Sequence, residues 1–162
     1  TVRQSEQMAL VEHKMERSLV LIKPDGVQRG LIGEVITRLE NRGLRMVGAK
    51  FLQVSPELAK QHYAVHEGKP FFDGLITFIT SSPVMAMVWT GPDAITAIRQ
   101  TMGKTRGTDA DPGTIRADYA IQNQKNLTHA SDSPENAEAE IALWFRPDEL
   151  VNWRRCTEDW SY

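Results

Sequence analysis

The stretch Asn126-Leu127-Thr128-His129-Ala130-Ser131-Asp132-Ser133 places a lone histidine among short polar side chains. An imidazole titrates near pH ~6.5 when unperturbed, so at neutral pH it is largely uncharged and can act as a nucleophile or a proton carrier. Asn126, Thr128, Ser131 and Ser133 are small enough to orient such a ring without crowding a substrate. A purely structural reading competes with this one: Ser131-Asp132-Ser133 caps the next helix, and His129 is a satisfied turn residue. The residues alone leave both readings open.

Other chemistry-bearing side chains are spread along the chain. Lys23 stands where the apolar run Ser18 to Ile22 meets Lys23-Pro24-Asp25-Gly26, either as a solvated strand-end lysine or placed to meet phosphate. The segment Gly103 to Lys125 is rich in Gly, Asp, Thr and Pro and holds Lys104, Thr105, Arg106 and Arg116, donors suited to a polyphosphate. A connection of that length inside a domain is functional or disordered more often than inert. Gly103-Lys104-Thr105 imitates the end of a P-loop, but the required earlier glycine falls at Ile98, which excludes that motif. His62 and His66 have the i, i+4 spacing of a metal-binding helix face. Tyr63 follows His62 where a zinc hydrolase would place glutamate, and no third ligand is evident. Glu140 borders an apolar stripe and calls for a partner such as a histidine, because an unpaired, partly buried carboxylate is costly.

The elements that would position these groups follow from periodicity. Ser18 to Ile22 reads as a central strand. Ile32, Val35, Ile36 and Leu39 mark an amphipathic helix that stops at Asn41-Arg42-Gly43, and Leu44 to Leu52 resumes strand character. Ser55-Pro56 starts a helix carrying Leu58, His62, Tyr63 and His66. Pro70-Phe71-Phe72 opens a short helix through Ile79, with the two phenylalanines about 100° apart so that one can pack and the other stack on a ligand. Pro83 to Trp89 is the third strand, Ala94 to Met102 the next helix, and a short fourth strand leads into His129. Ser133-Pro134 starts a last helix with Ala137, Ile141, Trp144 and Phe145 inward. The tail from Pro147, with Trp153, Trp160 and Tyr162, should pack on the body or on a neighbouring subunit. This order predicts an α+β fold, a ferredoxin-like split β-α-β sandwich whose four-stranded antiparallel sheet is covered by helices.

Composition sets the outer bounds. With 162 residues, 41% hydrophobic and 25% charged, the chain fits one soluble domain with a self-sufficient core. A net charge of -2 offers no global field for nucleic acid, so any anion site must be local. The single Cys156 rules out an intrachain disulfide framework and suits a reducing compartment. No apolar run is long enough to span a bilayer. Residues 1–15 lack the apolar core of a secretory signal and read as an N-terminal arm or a non-native remnant, with Met15 suited to be a native start. Residues 16–162 form the domain.

Four motifs in this order, Ile22-Lys23-Pro24-Asp25-Gly26-Val27-Gln28-Arg29-Gly30, Pro70-Phe71-Phe72, Pro112-Gly113-Thr114-Ile115-Arg116 and Asn126-x-x-His129-x-Ser131-Asp132-Ser133, resemble the nucleoside diphosphate kinase family over about Glu16 to Tyr162. The resemblance implies a phosphotransferase in which a nucleoside triphosphate, typically ATP, gives its γ-phosphoryl group to His129 and the phosphohistidine passes it to a different nucleoside diphosphate. It implies that Lys23, Tyr63, Arg99, Thr105, Arg116 and Asn126 hold phosphates and ribose, that Phe71 stacks on the base with broad base specificity, and that Glu140 with Ser131 orients His129, Lys23 also serving catalysis. It further implies Mg²⁺ carried by the nucleotide phosphates with no protein-built metal site, a cytoplasmic location, and a homo-oligomer. The tail Cys156 to Tyr162 resembles that of hexameric members more than tetrameric ones.

Three positions depart from the family pattern. Ala130 stands where glycine is usual, so its methyl is expected to impede phosphate approach or a positive φ and to slow turnover. Asn123 occupies a position near the base that is commonly apolar, and Arg106 adds charge beside Thr105. A nucleotide-binding module that has lost turnover is the alternative reading, with Ala130 as the suspect. An RNA-binding domain shares the element order, but no aromatic-rich RNP-type strand is present.

Overall fold

A computed structural model describes residues 14–162. The expected arm or remnant at 1–15 lies outside them except for Lys14 and Met15. Met15 opens the first strand, and the Lys14 carbonyl accepts the Asp93 N–H at 3.1 Å.

In chain order the elements are β1 (Met15–Ile22), α1 (Pro24–Gln28), α2 (Ile32–Asn41), β2 (Arg45–Leu52), α3 (Pro56–His62), α4 (Phe72–Ile79), β3 (Val84–Pro92), α5 (Ala94–Met102), α6 (Ile115–Tyr119), β4 (Thr128–Ala130) and α7 (Pro134–Trp144). The sheet order is β2-β3-β1-β4 with every pair antiparallel, the ferredoxin-like α+β arrangement. β1 lies at the centre and is buried on both faces, which is why its sequence is a continuous apolar run and not an alternating one. Its side chains still alternate between two cores. Val20 and Ile22 join Val35, Leu39, Ile98, Met102 and Leu127, while Leu19 and Leu21 join Ala59, Ile79, Ile141 and Trp144 on the opposite face. Each fully buried aliphatic side chain contributes about 1.5–3 kcal/mol, so β1 anchors the site that grows from its end.

Helix starts follow local chemistry. Ser55 Oγ accepts the Leu58 N–H and Ser133 Oγ the Asn136 N–H, both at 3.1 Å, and a proline follows each cap. Three readings change. The Pro24-Asp25-Gly26 turn is the start of the short helix α1. The segment Gly103 to Lys125 is not structureless, because Thr114 Oγ1 caps α6 by accepting the Ala117 N–H at 3.2 Å and a 3₁₀ turn spans Gly107–Asp109. His129 lies within the fourth strand, paired with Leu21, not after it.

The tail packs on the body of its own chain. A bulge between Met46 and Gly48 leaves the Val47 carbonyl out of the sheet register, and it accepts the Val151 N–H at 2.8 Å. A Cβ on Gly48 would lie 2.8 Å from Leu150 Cδ2, so glycine is what lets the tail approach. Trp153 Nε1 donates to the Met46 carbonyl, and Arg45 pairs with the nearly buried Glu158, each at 2.8 Å.

Candidate active site

The carboxyl end of β1 and the start of β4 are tied together. Lys23 N–H donates to the Leu127 carbonyl at 2.8 Å, and Asp25 Oδ2 accepts the Leu127 N–H at 3.0 Å. Between these two bonds Leu127 is fully buried with φ of 75°, a left-handed conformation that a branched side chain resists. A Cβ on Gly26 would meet Ile22 Cγ2 at 2.8 Å and the Leu127 carbonyl at 3.1 Å, so the close approach requires glycine. The kink separates Asn126 from Thr128, and both contribute to the wall of one cavity.

That cavity, about 1100 Å³, is lined by Lys23, Tyr63, Phe71, Arg99, Thr105, Arg116, Asn126, His129 and Glu140, residues the sequence singles out and the fold gathers from separate helices, strands and loops. Lys23 is nearly buried and donates to the Gln124 carbonyl at 2.9 Å and to Asn126 Oδ1. Asn126 Nδ2 donates to the Thr105 carbonyl at 2.9 Å. Arg116 donates to the carbonyls of Asn126, Gly103 and Thr128 at 3.2, 3.0 and 2.7 Å, which fixes its guanidinium at the cavity wall. Burial pulls the Lys23 ammonium down to about 8, with repulsion from Arg116 adding to it and Asp25 opposing. Burial and the neighbouring Arg99 lower Arg116 to about 10. Cations held at such cost at the wall of an open cavity favour an anionic ligand.

In the same cavity wall, His129 and Glu140 meet, Nε2 to Oε2, at 2.7 Å. Burial alone would raise the Glu140 carboxyl. The hydrogen bond and charge of His129, with the Ser131 hydroxyl, outweigh it and hold the group below the usual range, so Glu140 is a carboxylate and His129 Nε2 carries the donated proton. Ser131, expected to orient His129 together with Glu140, is fully buried behind the cavity lining: its Oγ accepts the Leu19 N–H at 3.1 Å, and its hydroxyl helps hold the Glu140 carboxyl low, so it bears on His129 through Glu140. Phe71 is half-exposed at the cavity mouth, 5.3 Å from the His66 ring, while Phe72 is partly buried. Burial, then Glu140, raises the Tyr63 phenol to about 12, so it stays protonated.

The His62 and His66 pair does not form a helix face, because α3 ends at His62 and a 3₁₀ turn carries His66 away. His62 instead stands edge-on to His129, with ring centroids 4.8 Å apart and planes at 83°. Nothing local in the sequence signals this contact, which joins α3 to a strand more than sixty residues later. Ala130 has ordinary strand geometry: among the described residues only Asp93 and Leu127 combine a side chain with positive φ. The expected conflict with a positive φ is absent, and only its methyl at the cavity wall bears on phosphate approach. Asn123 lines the cavity, whereas Arg106 faces a neighbouring depression.

A carboxylate-backed histidine and buried cations around one cavity, on a ferredoxin-like frame, define a phosphate-handling enzyme. Residues 16–150 match the family model for nucleoside diphosphate kinase. The chain is 58% identical over 148 residues to the nucleoside diphosphate kinase of Synechococcus sp., covering 91% of this chain and 99% of that one. The solved halophilic nucleoside diphosphate kinase from Halobacterium salinarum, in complex with CDP, superposes with a TM-score of 0.89 at 57% identity, covering 92% and 99% of the two chains. A nucleoside diphosphate kinase family protein from Babesia bovis gives 0.88 at 46% identity over 91% and 99%. The chain belongs to the nucleoside diphosphate kinase family, and its activity is that of a phosphotransferase.

Proposed function

We propose that the enzyme works by a ping-pong cycle through a phosphohistidine at His129, from a nucleoside triphosphate, typically ATP, to a nucleoside diphosphate of any base, and so maintains triphosphate pools. The observation that carries this reading is the 2.7 Å bond between His129 Nε2 and Glu140 Oε2. Because Nε2 holds the proton, the free lone pair is on Nδ1, which attacks the γ-phosphorus. Its bond to phosphorus forms as the bond to the leaving diphosphate oxygen breaks. The imidazolium so formed keeps its Nε2–H on the carboxylate, which stabilises the positive ring. The second half-reaction reverses these steps onto a diphosphate acceptor.

Lys23, Arg99 and Arg116 answer the charge on the equatorial oxygens, with Thr105, Asn126 and Tyr63 as neutral donors to phosphate and ribose. Phe71 offers a flat face that any base can use. The CDP held by the Halobacterium salinarum relative is consistent with a site that does not require a purine. The substrate is a magnesium nucleotide: of the two carboxylates in the cavity lining, Asp132 and Glu140, the second is engaged by His129, which is too few oxygens for a protein-built Mg²⁺ cage. Carried in with the nucleotide, Mg²⁺ would neutralise part of the phosphate charge.

The test is the intact mass after incubation with MgATP and no acceptor, followed by a GDP chase. One acid-labile phosphoryl group, absent in His129→Ala and discharged by GDP, is expected. Nucleotide binding without mass gain would replace this reading with that of a silent binding module.

The same reading includes a homo-oligomer, hexamer favoured over tetramer, and a cytoplasmic location. Exposed Phe51, Val151 and Trp160 supply apolar surface for subunit contacts. No helix among the described residues is long and apolar enough to cross a membrane. Light scattering gives the subunit count and cell fractionation the location.

A further inference from the structure

His62, His129 and Glu140 each offer a ligand atom, all within 4.8 Å of one another, and Glu140 Oε1 is buried with no hydrogen-bond partner of its own. Two imidazoles and a carboxylate beside an open cavity, which supplies water for a fourth position, are the donor set of a zinc site. Such a set binds Zn²⁺ or Co²⁺ far better than Mg²⁺, because imidazole nitrogen suits the later transition metals. An enzyme whose nucleophile is one of these imidazoles would be captured by any such ion that settled there.

One contact opposes this. Trp144 Nε1–H donates to His62 Nδ1 at 3.1 Å, deep in the core where both side chains are almost fully buried. A neutral imidazole has a single lone pair in its ring plane and a single N–H. With the indole proton on Nδ1, the lone pair is taken and the ring's own proton must sit on Nε2. His62 then has no nitrogen to give a metal: Nδ1 is occupied, and a bond through Nε2 would force a proton onto Nδ1, against the indole N–H. Protonated His62 offers no lone pair either, and an Nδ1 that accepts the indole N–H is not protonated.

We propose that Trp144 locks His62 in the Nε2–H tautomer and thereby keeps the His62, His129 and Glu140 cluster free of transition metal. The site is latent in the wild-type chain and opens when the indole N–H is removed. Metal bound to His129 Nε2 moves that ring's one proton to Nδ1, with no net proton release, and so abolishes the lone pair that attacks phosphorus. This last consequence rests on the ping-pong reading above. Metal binding itself does not.

The test uses Trp144→Phe, which deletes the N–H and keeps an aromatic filler, with Co²⁺ as the probe because tetrahedral cobalt shows intense visible d–d bands. Wild type is expected to show no such bands. Trp144→Phe is expected to develop them at one Co²⁺ per chain and to lose them in the double variant Trp144→Phe with His62→Ala. Zn²⁺ should then lower phosphohistidine formation by Trp144→Phe at least tenfold while leaving wild type unaffected. Equal cobalt bands in wild type, or none in a folded Trp144→Phe, would overturn the proposal. Cobalt bands without loss of phosphohistidine would instead count against His129 Nδ1 as nucleophile. If Trp144→Phe does not fold, ¹⁵N NMR of wild type decides: the Nε2–H pattern at His62 supports the lock, and the Nδ1–H pattern refutes it.

Discussion

Asp25 Oδ2 accepts the main-chain N–H of Leu127 at 3.0 Å, across 102 residues of sequence. The bond holds a buried leucine at φ of 75°, a conformation costing about 1–3 kcal/mol that persists only where the surroundings enforce it. Asp25→Ala leaves the N–H unsatisfied and is expected to cost about 1–3 kcal/mol in urea denaturation. It should also slow phosphohistidine formation, because Asn126 and Thr128 flank the released kink. Asp25→Asn keeps an acceptor oxygen and should recover most of both losses. If alanine and asparagine variants behave alike, the kink is set by something other than this bond.

Glu140→Gln tests the charge behind the nucleophile separately from its orientation. The amide oxygen still accepts the His129 Nε2–H, so the ring keeps its pose, but the imidazolium formed on phosphorylation loses its counter-charge. The first-half rate is expected to fall about 100- to 1000-fold, the scale of one acid–base or electrostatic group, with little change in nucleotide affinity. Rapid-quench measurement of phosphohistidine formation separates the two, and an unchanged rate would remove Glu140 from the chemistry.

What was legible in the sequence was local. The run Ser18 to Ile22 reads as a central strand because both faces are buried, and Ser55-Pro56 and Ser133-Pro134 announce helices because cap and first-turn chemistry need only a few adjacent residues. The helix α1 was hidden because Pro24 and Gly26 are also what a turn would use. The place of Ser131 and the contact of His62 with His129 were hidden for a different reason: both depend on which strand and helix lie alongside, and spacing within one element carries no such information. Every site residue the sequence suggests except Ser131 lines one cavity, and the motif resemblance, more than periodicity, is what groups Arg99, Thr105 and Arg116 with His129.

Lys23 makes the pH dependence two-sided. Burial takes its pKa from 10.5 to about 8, so between those values the unfolded chain holds a proton that the fold has lost, and stability rises with pH across that window. Phosphate recognition needs the charged form and moves the other way. Above about pH 8 kcat/KM is expected to decline as free enzyme loses the Lys23 charge, while kcat holds to higher pH because bound phosphate retains the proton. Lys23→Arg, which stays charged, should abolish this alkaline limb even if the longer side chain lowers the plateau. An alkaline limb that survives in Lys23→Arg assigns it to another group.

Ala130 presents its methyl at the cavity wall from a strand that any residue can adopt, so its effect on catalysis is steric and not conformational. In Ala130→Gly the backbone gains freedom and a small apolar contact is lost, which together cost about 1 kcal/mol in the strand. The space released lies next to His129, where the transferred phosphoryl group must arrive. The expected outcome is a phosphorylatable His129 with a rate altered by up to about tenfold, the scale of a 1.4 kcal/mol change in barrier. The ratios of kcat/KM among ADP, GDP, CDP and UDP should stay as in wild type, because in the proposed cycle the base stacks on Phe71, just before α4, and not on residue 130. A shift in those ratios would mean that phosphate placement and base placement are coupled across the cavity, and that the stacking surface alone does not set the base range.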